Sequence, residues 1–195
     1  MPTLLDLKVP VFWAEGQPAI PAAGYQLAVG GHVGHPVALD LAEVQKLAVD
    51  EVDCRLTSVT RWSVRAMWRG MLMSRLVAMV KPEAEARFVR FTSFGGAYTT
   101  AVALTDLGHP RALLAVAANG ADLTVEYGGP VRAVFPQLWG YKSAKSIVAI
   151  DFLSTYESGY WEQRGYEGDA RITATKLYDL NSRTTRAHAG GEVTW

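Results

Sequence analysis

Residues 127–146 read YGGPVRAVFPQLWGYKSAKS. Gly128, Gly129 and Gly140 allow a ligand close to the backbone, while Arg132, Lys142 and Lys145 converge with Ser143 on the same loop. Main-chain N–H groups, a fork-shaped guanidinium and a point-charge ammonium are the donors a phosphate needs. The stretch lacks GxxxxGK[ST], so it is not a P-loop. Taken by itself it fits either a phosphate cradle or a basic, solvated turn.

The flanks indicate what kind of domain carries this loop. Short strand patterns at 123–126, 131–135 and 147–152 alternate with glycine-rich loops. Upstream, RFVRFTS (87–93) alternates strictly and ends at the Gly95–Gly96 turn, with 98–104 as its hairpin partner. Residues 105–107 and 113–118 form a short helix or strand before the Asn119–Gly120 turn. GYQLAVGGHV (24–33) is a strand, and Asp40 then N-caps a short helix, LAEVQKLAV, with Glu43 at the capping-box position. Residues 51–59 form a strand leading into a turn at Trp62, and 71–80 have helical spacing stopped by Pro82. Residues 1–23, punctuated by Pro2, Pro10, Pro18 and Pro21, read as an extended N-terminal arm. The tail from 169 alternates weakly and becomes polar. Helices and strands mix without βαβ alternation, which predicts an α+β fold of mixed β-sheets with short helices, in a single domain, 1–195.

Composition narrows the function. The 19 basic residues balance 19 acidic ones, and 49% of the chain is hydrophobic. Such a chain is globular, with no global field for nucleic acid or an anionic membrane, so any anion site is a local cluster. One cysteine excludes an intrachain disulfide and a multi-thiolate metal site. MPTLLDLKVP lacks a basic leader followed by an apolar core, and the apolar windows GMLMSRLVAMV and RALLAVAANGA carry Arg75 and Arg111. A soluble, cytoplasmic protein is expected.

Five blocks in order, SVTRWSV with WRG, RFVRFTS, AANGADLTVEYGGPVRAVFP, GYKSAKSIVAIDF and YWEQRGY, resemble the oxidoreductase molybdopterin-binding domain family. That family includes sulfite oxidases, plant nitrate reductases and methionine-sulfoxide reductase catalytic subunits. The resemblance implies a sulfite-oxidase-type fold around a molybdenum–molybdopterin cofactor with a terminal phosphate. It implies cofactor contacts at Arg132, at Tyr127 (where relatives carry histidine or asparagine), and along Ser143, Ala144 and Lys145, which wrap the phosphate end. Ser93, closing the RFTS strand, is a further implied contact.

In the same family a cysteine directly precedes the V-T-x-W-S run and its thiolate binds molybdenum. In DCRLTSVTRWS (53–63) that position is Ser58. Cys54 lies four residues upstream, about 13 Å away along an extended strand, too far to substitute. Cys54 reads as a small, half-buried strand residue. Three accounts of Ser58 stand open: an alkoxide metal ligand and catalytic group, a residue that does not ligate and leaves turnover altered or absent, or an introduced replacement. An alkoxide ligand requires the metal to lower the hydroxyl's pKa strongly.

Other candidates are weaker. His32 and His35 have HxxH spacing without a third ligand nearby in sequence, and read as loop residues. His109 and His188 read as surface residues, Trp62 and Trp68 as core, and GYWEQRG as a packed closing turn. Arg61, Arg65 and Arg90 are candidates for drawing an oxyanion towards the metal, with surface ion pairing as the plainer role. The expected function is a molybdopterin-dependent oxidoreductase moving an oxygen atom to or from a small oxyanion or sulfoxide. Its electrons would come from a separate partner, and neither nucleic acid nor membrane is involved. The alternative is a non-catalytic molybdopterin-binding carrier or ligand-gated interaction module; a purely structural domain with an empty pocket is a third.

Overall fold

Asp40 sets the first helix as its sequence requires: its carboxylate accepts from the Glu43 N–H at 2.8 Å, and the Glu43 carboxylate accepts from the Asp40 N–H at 2.8 Å. In the computed structural model, which describes residues 1–16 and 24–195, that helix is one of two. Residues 17–23, including Pro18 and Pro21 of the expected arm, lie outside the described residues. In chain order the elements are β1 (Gln26–Gly31), β2 (Val37–Asp40), α1 (Leu41–Leu47), β3 (Asp50–Thr57), β4 (Trp62–Leu72), α2 (Met73–Val80), β5 (Phe88–Ser93) and β6 (Thr99–Ala103). There follow β7 (Leu113–Ala118), β8 (Ala121–Asp122), β9 (Arg132–Val134), β10 (Ile147–Leu153), β11 (Thr175–Asp179) and β12 (Thr184–His188). The α+β class read from the sequence is the class observed.

Two mixed sheets carry these strands. One has the order β2-β1-β10-β5-β6, with β1 and β10 parallel and the other pairs antiparallel. The other runs β12-β11-β4-β7-β8, with β3 also paired to β4 and β9 to β7. A large core joins Leu27, Phe91, Ile150 and Phe152 of the first sheet to Leu114 and Val116 of the second, with Leu76 and Val80 of α2. A second cluster, centred on fully buried Trp68, includes Val52, Leu56 and Val64. Leu4 and Val9 of the N-terminal arm seal it. Burying one such large apolar side chain contributes roughly 2–3 kcal/mol.

Three local expectations change. The turn expected at Trp62 lies at residues 58–61, where Arg61 takes φ 70° and its N–H donates to the Ser58 carbonyl at 2.9 Å. Trp62 instead begins the eleven-residue β4, so the helix expected from 71 starts at Met73. Residues 123–126 are not a strand; the chain tightens into a 3-10 turn over Val125–Tyr127. The cause is close packing: a Cβ on Gly129 would lie 2.1 Å from the Leu123 carbonyl oxygen, so the chain doubles back on itself there. The arm is also not extended throughout, since a turn at residues 4–8 lets the Val9 N–H donate to the Leu4 carbonyl. No helix among the described residues is long and apolar enough to cross a membrane.

Candidate functional site

Arg132 opens β9 and is 3% exposed, yet among the described residues no carboxylate bonds to it. Its guanidinium donates to three main-chain carbonyls: Tyr127 at 2.7 Å, Ser143 at 3.3 Å and Ala133 at 3.3 Å. The Trp68 ring lies beneath it, 5.6 Å from the guanidinium carbon. Burial lowers its pKa to about 10, which leaves it charged at neutral pH. Lys145 approaches from the loop before β10. Its ammonium donates to the Phe12 carbonyl at 2.7 Å and sits 4.4 Å from the Trp13 ring centre. Burial, and then the Arg132 charge, lower its pKa to about 7. Gly128, at φ 96°, allows this approach: a Cβ there would fall 3.0 Å from Lys145 Cγ and 3.1 Å from Arg132 Cβ.

Both cations line one cavity of about 410 Å³. Arg132 is buried and Lys145 half-buried, and no carboxylate among the described residues bonds either one, although Glu15 also lines the cavity; such a cation pair is unfavourable until an anion joins it. The other residues expected at this site divide into two groups. Ser58, Tyr127 and Ser143 line the cavity, whereas Ser93 and Ala144 stand behind its wall. The Ser93 hydroxyl donates to the Lys145 carbonyl at 2.7 Å, and the Ser143 hydroxyl accepts from the Phe135 N–H at 3.1 Å. These two serines hold the loop in shape. Lys142 does not converge with Arg132 and Lys145 as its spacing suggested. It is fully buried and turns to Glu162, with the Ala101 carbonyl as a second partner at 2.7 Å. A fully buried ammonium needs a carboxylate, and Glu162 supplies one.

Ser58 lies at the end of β3, at the turn into β4, and faces the same cavity as the cations. Its Oγ is 2.8 Å from Thr60 Oγ1 and accepts from the Thr60 N–H at 3.2 Å. Cys54 is buried within β3 opposite Ala66, away from the cavity lining. Burial pushes its thiol up to about 12, so it stays protonated. Of the three arginines, Arg65 is bound by Asp53 and Arg90 by Asp151 and Glu157. Arg61 has no side-chain partner among the described residues and lines a second cavity of about 370 Å³. That cavity shares Val59, Tyr141 and Tyr166 with the first.

The sequence reading missed the contribution of the arm. Phe12 packs on Trp161, the Glu15 carboxylate accepts from the Tyr98 N–H, and Trp13 covers Lys145. The Trp13 indole N–H is buried beside the cavity without an acceptor among the described residues. The aromatic pair at 12–13 was the available signal, but nothing in a proline-punctuated arm says which surface it covers. This set of two cations, an indole N–H and the Gly140 backbone, enclosed by Tyr141, Trp161 and Tyr166, fits an aromatic ligand that ends in a phosphate.

Comparisons with known proteins place the chain in a family. The family model "oxidoreductase molybdopterin binding domain" matches residues 14–161. The catalytic subunit MsrP of a protein-methionine-sulfoxide reductase from Campylobacter jejuni is 30% identical over 154 residues, 71% of this chain and 52% of that protein. The chain thus spans about half the length of that relative. The uncharacterized oxidoreductase YuiH of Bacillus subtilis is 35% identical over 143 residues, 73% of this chain and 72% of YuiH. Among solved structures, the sulfane dehydrogenase SoxCD of Paracoccus pantotrophus superposes with a TM-score of 0.68 over 90% of this chain and 47% of that one. At 15% identity this shows the fold alone. The chain belongs to the oxidoreductase molybdopterin-binding domain family, and its cofactor is molybdopterin.

Proposed function

We propose that the protein is a molybdopterin-dependent oxidoreductase of the sulfite oxidase type, acting by oxygen-atom transfer on a small oxyanion or a sulfoxide. The observation that carries this reading is the pair Arg132, buried, and Lys145, half-buried, neither bonded to a carboxylate among the described residues, in the cavity that Ser58 also faces. When bound, the molybdenum cofactor supplies the two-electron chemistry, and the protein supplies orientation and electrostatics. Arg132 and Lys145 hold the phosphate end, with the Trp13 N–H as a further donor. Tyr141, Trp161 and Tyr166 wall the cavity and exclude water. Ser58 Oγ, held by Thr60, would be the oxygen available to the metal. Arg61, on the same turn and without a counter-ion among the described residues, draws an anionic substrate towards Ser58. Electrons come from a separate protein partner.

One observation favours a second reading, a cofactor carrier without turnover. Ser58 Oγ is tied only to Thr60, and no cation or base among the described residues is bonded to it to help it lose its proton. Metal and pterin analysis of the purified protein separates the two: molybdenum near one per chain supports the enzyme, and pterin without metal supports the carrier. The site itself is tested by Arg132→Ala and Lys145→Ala. Each removes a charge-assisted bond worth on the order of 1.5–3 kcal/mol, so pterin affinity should fall about ten- to a hundredfold. Retention equal to the parent in both variants would show that the phosphate binds elsewhere.

A further inference from the structure

His32 follows β1, and on sequence spacing its partner was His35. The fold gives it different neighbours. Pro82 stops α2, and Val33 pairs with Pro82 as an isolated antiparallel bridge. The Glu83 N–H donates to the His32 carbonyl at 3.0 Å, and the Ala86 N–H closes a turn on the Glu83 carbonyl at 3.1 Å. Together these contacts place Glu83 and Glu85 beside the imidazole. One ligand atom from each of His32, Glu83 and Glu85 lies within 4.8 Å of the others. His32 Nδ1 and Glu83 Oε2 are 3.5 Å apart, close to the roughly 3.4 Å edge of a tetrahedral zinc ligand set. Glu85 has no hydrogen bond or ion pair among the described residues, although a like-charged carboxylate stands beside it.

We infer that His32, Glu83 and Glu85 form a binding site for a divalent first-row cation, with water in the fourth position. One neutral imidazole and two carboxylates carry two negative charges, which a divalent ion neutralises. A nitrogen with hard oxygens suits zinc and its neighbours better than magnesium or calcium. The ion would tie the end of β1 to the connection between α2 and β5. Gly31, next to His32, pairs with Phe152, at the opposite end of β10 from the Lys145 loop. The site is therefore a structural staple on the first sheet, separate from the cofactor cavity.

The test is zinc titration of the chelator-treated full chain by calorimetry, alongside thermal unfolding. The parent should bind one zinc, and at about a hundredfold excess over Kd its Tm should rise by roughly 5 °C. His32→Ala and Glu85→Gln should each weaken binding about tenfold or more, whereas His35→Ala should bind as the parent does. Absence of binding in the parent, affinity unchanged in both ligand variants, or loss in His35→Ala equal to that in His32→Ala would each overturn the assignment.

Discussion

Ser58 and the cysteine that the family resemblance implies at its position differ by a single atom, so a change at this residue tests chemistry with little effect on the fold. Ser58 is half-buried at a turn closed by two main-chain hydrogen bonds, from Ser58 N–H to the Trp62 carbonyl and from Arg61 N–H to the Ser58 carbonyl. Ser58→Cys should leave those intact while offering a thiolate, which forms far more readily than an alkoxide. Molybdenum retained through desalting should rise about tenfold or more over the parent. Cys54→Ala should leave metal content unchanged and cost about 1 kcal/mol in denaturant unfolding, the loss of a small buried side chain. Metal loss in Cys54→Ala with no change in Ser58→Cys would move the ligand position to the cysteine. The sequence excluded Cys54 by strand length alone, and burial within β3 adds that its thiol stays protonated. Lys142 shows the opposite case. Its one-dimensional proximity to Lys145 says nothing about direction, and the 3-10 turn at Gly140–Lys142 sends it to Glu162 instead.

At the scale of elements, legibility followed the range of the interaction that forms each one. The capping box of α1, the β5–β6 hairpin and the Asn119–Gly120 turn are local, and each lies where the sequence puts it. The strand β4 was missed although Val64, Ala66 and Trp68 alternate inward, because Arg65, Arg69 and Gly70 break its apolar look. What makes it a strand is its partners: β3, the other arm of its hairpin, on one edge, and on the other β7 and β11, which are distant in sequence. Strand β12 was not read at all; it is exposed along its length and held by its pairing with β11. Gly70 shows how tightly β4 is fitted. It sits at the register shift between β4 and β7, and a Cβ there would lie 2.0 Å from the Leu114 carbonyl oxygen. Gly70→Ala must therefore push two strands apart and should cost about 3 kcal/mol or more in urea unfolding. Gly30→Ala in β1, where a Cβ meets nothing within 4 Å, should change stability by less than about 0.5 kcal/mol in either direction. Equal effects of the two substitutions would mean that the β4–β7 contact is looser than drawn.

At the scale of the whole molecule, the cavity lies where the β3–β4 turn, the β9–β10 loop and the N-terminal arm meet, so distant parts of the chain must fold before its charges come together. Folding thereby places Lys145 next to Arg132 in a buried site, with a measurable consequence. The Lys145 pKa is about 7 in the folded protein, below the ~10.4 of an exposed lysine in the unfolded chain. Below about pH 7 both states hold the proton, and the cost of the buried charge is borne in full. Between about pH 7 and ~10.4 the unfolded chain binds more protons than the folded one, so this group makes the ligand-free protein more stable as pH rises. A phosphate in the cavity reverses the balance by favouring the ammonium. Binding of inorganic phosphate or a phosphorylated pterin at about pH 8 should then draw in a proton, up to about one per site. Calorimetry in two buffers of different ionisation enthalpy reads that proton directly. Lys145→Met removes the titrating group while keeping an apolar stem against Trp13, so its binding heat should not depend on the buffer. Equal proton uptake by parent and Lys145→Met would show that another group titrates. No uptake by the parent would mean that the anion does not reach Lys145, and the phosphate end would then have to be assigned to Arg132 alone.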